Sequence, residues 1–221
     1  PLSTTAPLVY KVRTMTTESY TLAERPDLID EQERLMSAEW PEFVIHGEGG
    51  EGWMELFTAF REFQFVLLAD GGMAAMGHTI PIHFDAPLEE LPQDGWDWAL
   101  KKGHDDKAAG NAPNCLCGLS ATVVSDFRGQ GLSSALLDQM KRLARAEGLK
   151  RLVIPVRATR KVDYPLIPLA SYIEWTRSDG EPFDPWLRTH LRSGGRVVKV
   201  ANRAMRIRSE EHTSELQSLL I

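Results

Sequence analysis

The residues best suited to chemistry lie in one short stretch, Arg128-Gly-Gln-Gly131-Leu-Ser133, between an apolar run and an amphipathic segment. Gly129 and Gly131 free the backbone from side-chain obstruction, so that consecutive N–H groups at the start of a helix can point at one spot. The positive end of the helix dipole and the charge of Arg128 add to that field. Such a turn suits an anion, above all the pyrophosphate of a cofactor. A second chemical candidate is the pair Cys115 and Cys117, the only cysteines of the chain. A C-x-C pair without a histidine array is a poor ligand set, so no metal site is expected. On a strand both thiols face one side and pack in the reduced state.

Several elements must position the glycine turn. Residues 116–125 read as a strand leading into it, and Leu132, Ala135, Leu136, Leu143 and Ala144 make one apolar helix face after it. Gly148 ends that helix, and residues 151–156 form the next strand, completing a βαβ unit with a parallel pair. Upstream, residues 9–15 alternate apolar and charged as a first strand, after a loose tail over residues 1–8. Helical spacing follows from Pro26 to Met36 and from Trp53 to Phe63. Between these helices, four glycines in residues 47–52 predict a mobile loop. Residues 65–69 and 73–82 are apolar runs around Asp70-Gly71-Gly72, a hairpin signal.

Residues 85–114 break this pattern with prolines, acidic residues, Trp96 and Trp98, and read as an insertion carrying a short helix over 96–109. The two tryptophans suit an anchor onto the body better than a lid. An irregular stretch over 158–184 holds Tyr164, Tyr172 and Trp175. Asp184-Pro185 opens a helix as an N-cap followed by proline at the first helical position, and residues 196–207 return as a strand.

At 221 residues the chain fits one domain, here residues 9–207. A net charge of −6 argues against nucleic acid and anionic membrane as partners, and no apolar run is long enough to span a bilayer. Cytoplasmic localisation is the expectation, made for a chain that begins at Pro1 and not at methionine.

The glycine turn resembles the start of a dinucleotide-binding fingerprint, but residues 152–156 end without the acid that would hold a ribose. A nucleoside-triphosphate loop is excluded because no Gly-Lys-Ser/Thr follows. The stretch Arg128-Gly-Gln-Gly131-Leu-Ser133, after a valine-bearing strand and before an Ala-Leu-Leu helix, is similar to the coenzyme A signature of the GNAT superfamily of N-acetyltransferases. Ser133 stands where the signature has glycine or alanine, and its backbone N–H is unaffected. The element order of residues 9–207 resembles that superfamily as well.

The resemblance implies an α/β class fold, an α+β mixed sheet of the GNAT-like acyl-CoA N-acyltransferase type. It implies acetyl-CoA as acyl donor, its pyrophosphate on Arg128, Gly129, Gln130, Gly131, Leu132 and Ser133 and its pantetheine arm along Val123 and Val124. The fourth and fifth strands of such folds splay, an amine attacks the thioester, a strand N–H stabilises the oxyanion, and a tyrosine after the fifth strand protonates the leaving thiolate. Tyr164 is favoured over Tyr172 for that role, although residues 157–163 lack the usual asparagine-led pattern. Glu18, His78, His83 and a water chain stay open as the general base. Residues 24–62 hold eleven acids against three arginines, which favours a small cationic amine as substrate, whereas Trp40, Trp53 and Phe57 read as core. A non-catalytic acyl-CoA-binding module is the competing reading, and a homodimer is a candidate assembly.

Residues 208–218 resemble the in-frame translation of a sequencing adapter. On that reading residues 208–221 are a non-native tail, and the last strand of the fold is missing.

Overall fold

The computed structural model describes residues 16–40, 52–208 and 213–221. The strand expected over residues 9–15 and the glycine loop at 47–51 lie outside the described residues. The first described strand is β1, Thr17–Thr21, a polar edge strand of threonine, serine and tyrosine. It pairs antiparallel with β2, Gln64–Ala69, which pairs antiparallel with β3, Gly72–Ile82. Asp70 at φ 51° and Gly71 at φ 83° close that hairpin, both in the left-handed conformation that two-residue hairpin turns require.

After β1, α1 covers Ile29–Glu39 as expected, preceded by a 3₁₀ turn at Pro26–Leu28. The second helix is shorter than its spacing suggested. Only α2, Leu56–Ala59, is α-helical, and Arg61–Phe63 is a 3₁₀ turn. The backbone must leave the helix there to enter β2, and Gln64 compensates by donating its side-chain amide to Phe60 O and Thr79 O at 2.9 Å each.

Residues 85–114 contain a full helix, α3, Gly95–Ala109. Trp96, Ala99 and Leu100 are buried from it, and the Trp96 indole donates to Leu119 O at 2.8 Å. These contacts make the tryptophan an anchor. β4, Cys115–Val123, pairs antiparallel with β3 and leads through a 3₁₀ turn at Ser125–Phe127 into α4, Leu132–Ala146. The five-stranded sheet runs β1-β2-β3-β4-β5, where β5 is Arg151–Val153 and parallel to β4.

The segment read as one strand over 151–156 is two. At Ile154 the chain leaves the first sheet: Ile154 N donates to Ile221 O at 2.8 Å and Ile221 N returns to Ile154 O at 3.1 Å. β6, Pro155–Val156, belongs to a second, three-stranded sheet ordered β6-β8-β7, with β7 at Lys199–Arg208 and β8 at Thr213–Leu220. The expectation of a missing last strand is thereby corrected. Leu219, Leu220 and Ile221 are buried beside Val156 and Ala201, and this apolar triplet fixes β8 between its neighbours. The likeness of residues 208–218 to an adapter concerns where the sequence came from; the backbone of 213–218 occupies a strand position.

Two short helical elements complete the second sheet. α5, Leu169–Tyr172, and α6, Pro185–Arg192, pack with Val156, Leu187, Leu219 and Ile221 into one apolar cluster. Asp184 caps α6 as its sequence position predicts, accepting from Trp186 N and Leu187 N at 3.0 Å each. A larger cluster fills the first sheet's α3 and α4 face, and a third, with Leu22, Leu28, Val66 and Met76, lies on its α1 face.

Candidate active site

Two departures from regular pairing shape β4. Its first three residues, Cys115, Leu116 and Cys117, pair with β5, and beyond them β4 has no β5 partner. The departure of the chain at Ile154 therefore opens the edge of β4 from Gly118 to Val123. On the opposite edge the β3 register shifts, since His78 faces Ser120 and Thr79 faces Gly118. Leu119 is thus an extra residue, a bulge that re-aims the backbone next to an open edge.

Alternation decides which backbone groups reach that edge. Val124 N donates to Ala74 O at 3.0 Å, so it is spent on β3. In an antiparallel ladder the neighbouring residue turns both backbone groups the other way, which directs Val123 and, two residues earlier, Ala121 to the open edge. Of the two valines expected to line a ligand, Val123 therefore turns its backbone to the open edge, where its carbonyl accepts from Arg128 Nε at 3.5 Å, and Val124 does not.

The glycine turn follows. Gly129 has φ 77° and Gly131 φ 83°, and a Cβ at either would meet nothing within 4 Å. Packing does not require these glycines; the left-handed backbone does, and it leaves the face above the turn open. Gly131 is the N-cap of α4, and Ser134 N and Ala135 N both donate to its carbonyl. Among the described residues, the amides of Gly129, Gln130, Gly131, Leu132 and Ser133 have no acceptor. These five N–H groups are the candidate anion cradle, and Arg128 N is not among them because it donates to Ser125 O at 3.2 Å. A diphosphate fits this donor set.

The Arg128 side chain also differs from expectation. Its guanidinium lies 2.6 Å from Glu39 Oε2, so its charge is shared and not free. Glu39, at the end of α1, accepts as well from Ser125 N at 2.7 Å and Ser125 Oγ at 2.8 Å. Burial pushes the Glu39 carboxyl up, but the Ser125 amide and hydroxyl and the Arg128 guanidinium outweigh it and hold the group below the usual carboxylate range. Nothing in the local sequence marks Glu39, because its partners lie far along the chain.

Tyr164 is half-buried in an aromatic cluster over the second sheet, its ring edge-on to Trp175 at 4.8 Å and 5.9 Å from Tyr172. Its hydroxyl makes no hydrogen bond among the described residues. Tyr172 instead donates its hydroxyl to Asp184 Oδ2 at 3.0 Å. Burial and that carboxylate push its pKa far up, which removes it as a proton donor.

The open candidates for the base separate widely. Glu18 sits on edge strand β1, separated from β4 by β2 and β3, and accepts from the Tyr20 hydroxyl. His83 lies past the end of β3, paired with Asp85 at 2.8 Å, near the start of β4 and away from its open edge. His78 is the one that reaches open β4: its Nδ1 lies 2.7 Å from Ser120 Oγ and its Nε2 2.9 Å from Gln32 Nε2. Burial alone pushes the His78 pKa down to about 3, so the ring is a weak base. Cys115 and Cys117 are buried free thiols; desolvation pushes Cys115 up to about 12 and Cys117 well above its usual value.

Comparison with known proteins places this geometry. The profile of the Acetyltransferase (GNAT) family matches residues 29–166. The arginine N-acetyltransferase avaD of Aspergillus versicolor is 33% identical over 207 residues, covering 85% of this chain and 71% of that protein. Among solved structures, the loading GNATL domain of CurA from Lyngbya majuscula superposes with a TM-score of 0.67 at 18% identity, over 93% of this chain and 95% of that one. The GphF GNAT-like decarboxylase in complex with isobutyryl-CoA reaches 0.64 at 18% identity, over 93% and 97%. At these identities the two structures bear on the fold. Family profile, curated relative, open β4 edge and glycine cradle agree, and the chain belongs to the GNAT family of acetyltransferases, enzymes that use acetyl-CoA as acyl donor.

Proposed function

We propose that this N-acetyltransferase acetylates the amino group of a small cationic amine, with arginine, the amino acid in the name of the 33% identical arginine N-acetyltransferase, as the first acceptor to try. The observation that carries the proposal is the continuity of the open β4 edge with the five unpaired amides of residues 129–133. When bound, acetyl-CoA supplies an acyl group already activated as a thioester. The rest falls to the chain. The amides of Gly129, Gln130, Gly131, Leu132 and Ser133, with Arg128 beside them, hold the pyrophosphate, and the α4 dipole favours its charge. The outward backbone groups of Val123 and Ala121 align the arm as an added strand would be aligned. Orientation of this kind accounts for much of the rate enhancement.

Tyr164 is assigned the proton delivered to the leaving thiolate, a reading supported by its uncommitted hydroxyl and by the commitment of Tyr172 to Asp184. The amine gives up its proton to water, because His78 is too weak a base and Glu18 and His83 lie away from the open edge. A cationic acceptor is supported by the acidic excess over residues 24–62. Cytoplasmic action belongs to the same proposal, supported by two buried cysteines outside any disulfide. The test is calorimetric titration with acetyl-CoA, followed by an amine panel read by release of free thiol. Binding with turnover on arginine or another cationic amine supports the reading; binding without turnover on any amine favours a non-catalytic acyl-CoA module.

A further inference from the structure

We propose that Gln32, His78 and Ser120 form a hydrogen-bond relay that aims the Ser120 hydroxyl as a donor at the carbonyl oxygen of the bound acyl group. Ser120 would be a catalytic residue, and His78 and Gln32 positioning residues. The inference rests on the acetyl-CoA reading above. Ser120 follows the Leu119 bulge on the open part of β4, and it is half-buried where His78 and Gln32 are fully buried. It lies three residues up the strand from Val123, roughly 10 Å toward the reacting end of an arm aligned there.

The proton arrangement follows from the partners. The relay assigns the Gln32 amide nitrogen, a donor only, to the side of His78 Nε2, 2.9 Å away, so that ring nitrogen accepts. A neutral imidazole carries one proton, which is then on Nδ1 and is donated to Ser120 Oγ at 2.7 Å. The hydrogen of Ser120 itself is left to point at another acceptor. No proton moves in the proposed step; the hydroxyl stabilises charge that develops on the carbonyl oxygen.

The surroundings keep this arrangement dry and fixed. The Trp53 ring lies 5.0 Å from the His78 ring and the Phe57 ring 5.6 Å, edge-on. Trp53 is in turn stacked on Trp96 at 5.7 Å, and that indole holds Leu119 O of the bulge. The groups that face the imidazole from α1, α2, β4 and the segment before α2 are Gln32, Phe57, Ser120 and Trp53, all uncharged. Gln32 and Ser120 satisfy both ring nitrogens of the buried His78, and the buried Oε1 of Gln32 has no partner among the described residues.

The test combines ¹⁵N NMR of the imidazole in the ligand-free full chain with kinetics. The relay requires a neutral His78 protonated at Nδ1, from pH 5 to pH 8. Ser120→Ala should lower kcat about 10²-fold while leaving the calorimetric affinity for acetyl-CoA and the shape of the pH profile unchanged. Ser120→Thr, which keeps a hydroxyl, should recover most of the loss, and Gln32→Leu should mix the two imidazole tautomers and lower kcat less. A His78 proton on Nε2, or a kcat unchanged in Ser120→Ala, would overturn the relay. Should the wild-type chain give no heat with acetyl-CoA, the functional reading fails first and takes the role of the relay with it. Normal binding and turnover with an unaffected Ser120→Ala enzyme would sink the relay alone.

Discussion

The Glu39 carboxylate and the Arg128 guanidinium meet at 2.6 Å, joining the end of α1 to the turn that precedes α4. The same carboxylate takes the amide and hydroxyl of Ser125, so three bonds fix the approach to the anion cradle. Arg128 is thereby held beside the amides before any ligand arrives. Arg128→Glu sets a second carboxylate against Glu39 and against an incoming diphosphate. It should weaken acetyl-CoA binding by about ten-fold or more, measured by calorimetry.

Glu39→Ala removes an acceptor whose side chain is only 9% exposed and strands the Ser125 amide, so about 1–3 kcal/mol of stability should be lost in urea unfolding. The pH dependence has a definite sign. The folded-state pKa is depressed below the usual 4.5, so the contribution of Glu39 is complete above pH 4.5 and is lost as pH falls below it. Wild type and Glu39→Ala should therefore converge in stability on acidification.

Two buried histidines predict a second acid effect. Burial pushes His78 down to about 3 and His190 to about 4, and His190 Nε2 has no partner among the described residues. The unfolded chain protonates both near pH 6.5 and the folded chain does not. Their contribution is thus full above pH 6.5 and falls as pH drops toward the folded values. Near pH 5 the loss should reach about 2.7 kcal/mol per pH unit, and His190→Gln should halve it in pH-dependent urea melts.

Gly131→Ala isolates the cradle backbone. The protein leaves room for the methyl group, but φ 83° is strained for any residue with a Cβ. Stability should drop by about 1–2 kcal/mol, and acetyl-CoA affinity should fall further than that cost accounts for, because the methyl group projects from the open face.

Tyr164→Phe tests the acid. Turnover should fall about 10²-fold with the dissociation constant of acetyl-CoA unchanged. Equal turnover in the two proteins would remove Tyr164 from the mechanism.

What the sequence made legible was local. Asp70-Gly71, Asp184-Pro185 and the passage from β4 through Gly129 and Gly131 into α4 each carry a backbone requirement that few residue types meet, and each is found as read. The division of residues 151–156 at Ile154 was hidden, because an apolar run looks the same whether its halves pair in one sheet or in two. β1 carries little signal for a related reason: Thr17–Thr21 buries little and has no strong alternation of apolar residues. Glu39 with Ser125, and Gln32 with His78 and Ser120, were invisible because such pairings arise between elements far apart in the chain and leave no spacing pattern. Leu219, Leu220 and Ile221 lie just beyond the adapter-like stretch and supply the burial that seats β8.

On the proposed function, residues 129–133 and the open edge of β4 hold acetyl-CoA for transfer to an amine. The most direct measurement is calorimetric titration of acetyl-CoA into the wild-type chain and into Arg128→Glu, with free thiol then assayed on addition of arginine. Saturable heat that is weakened in the variant, and thiol release that depends on the amine, are the expected results. No heat from either protein would contradict that function.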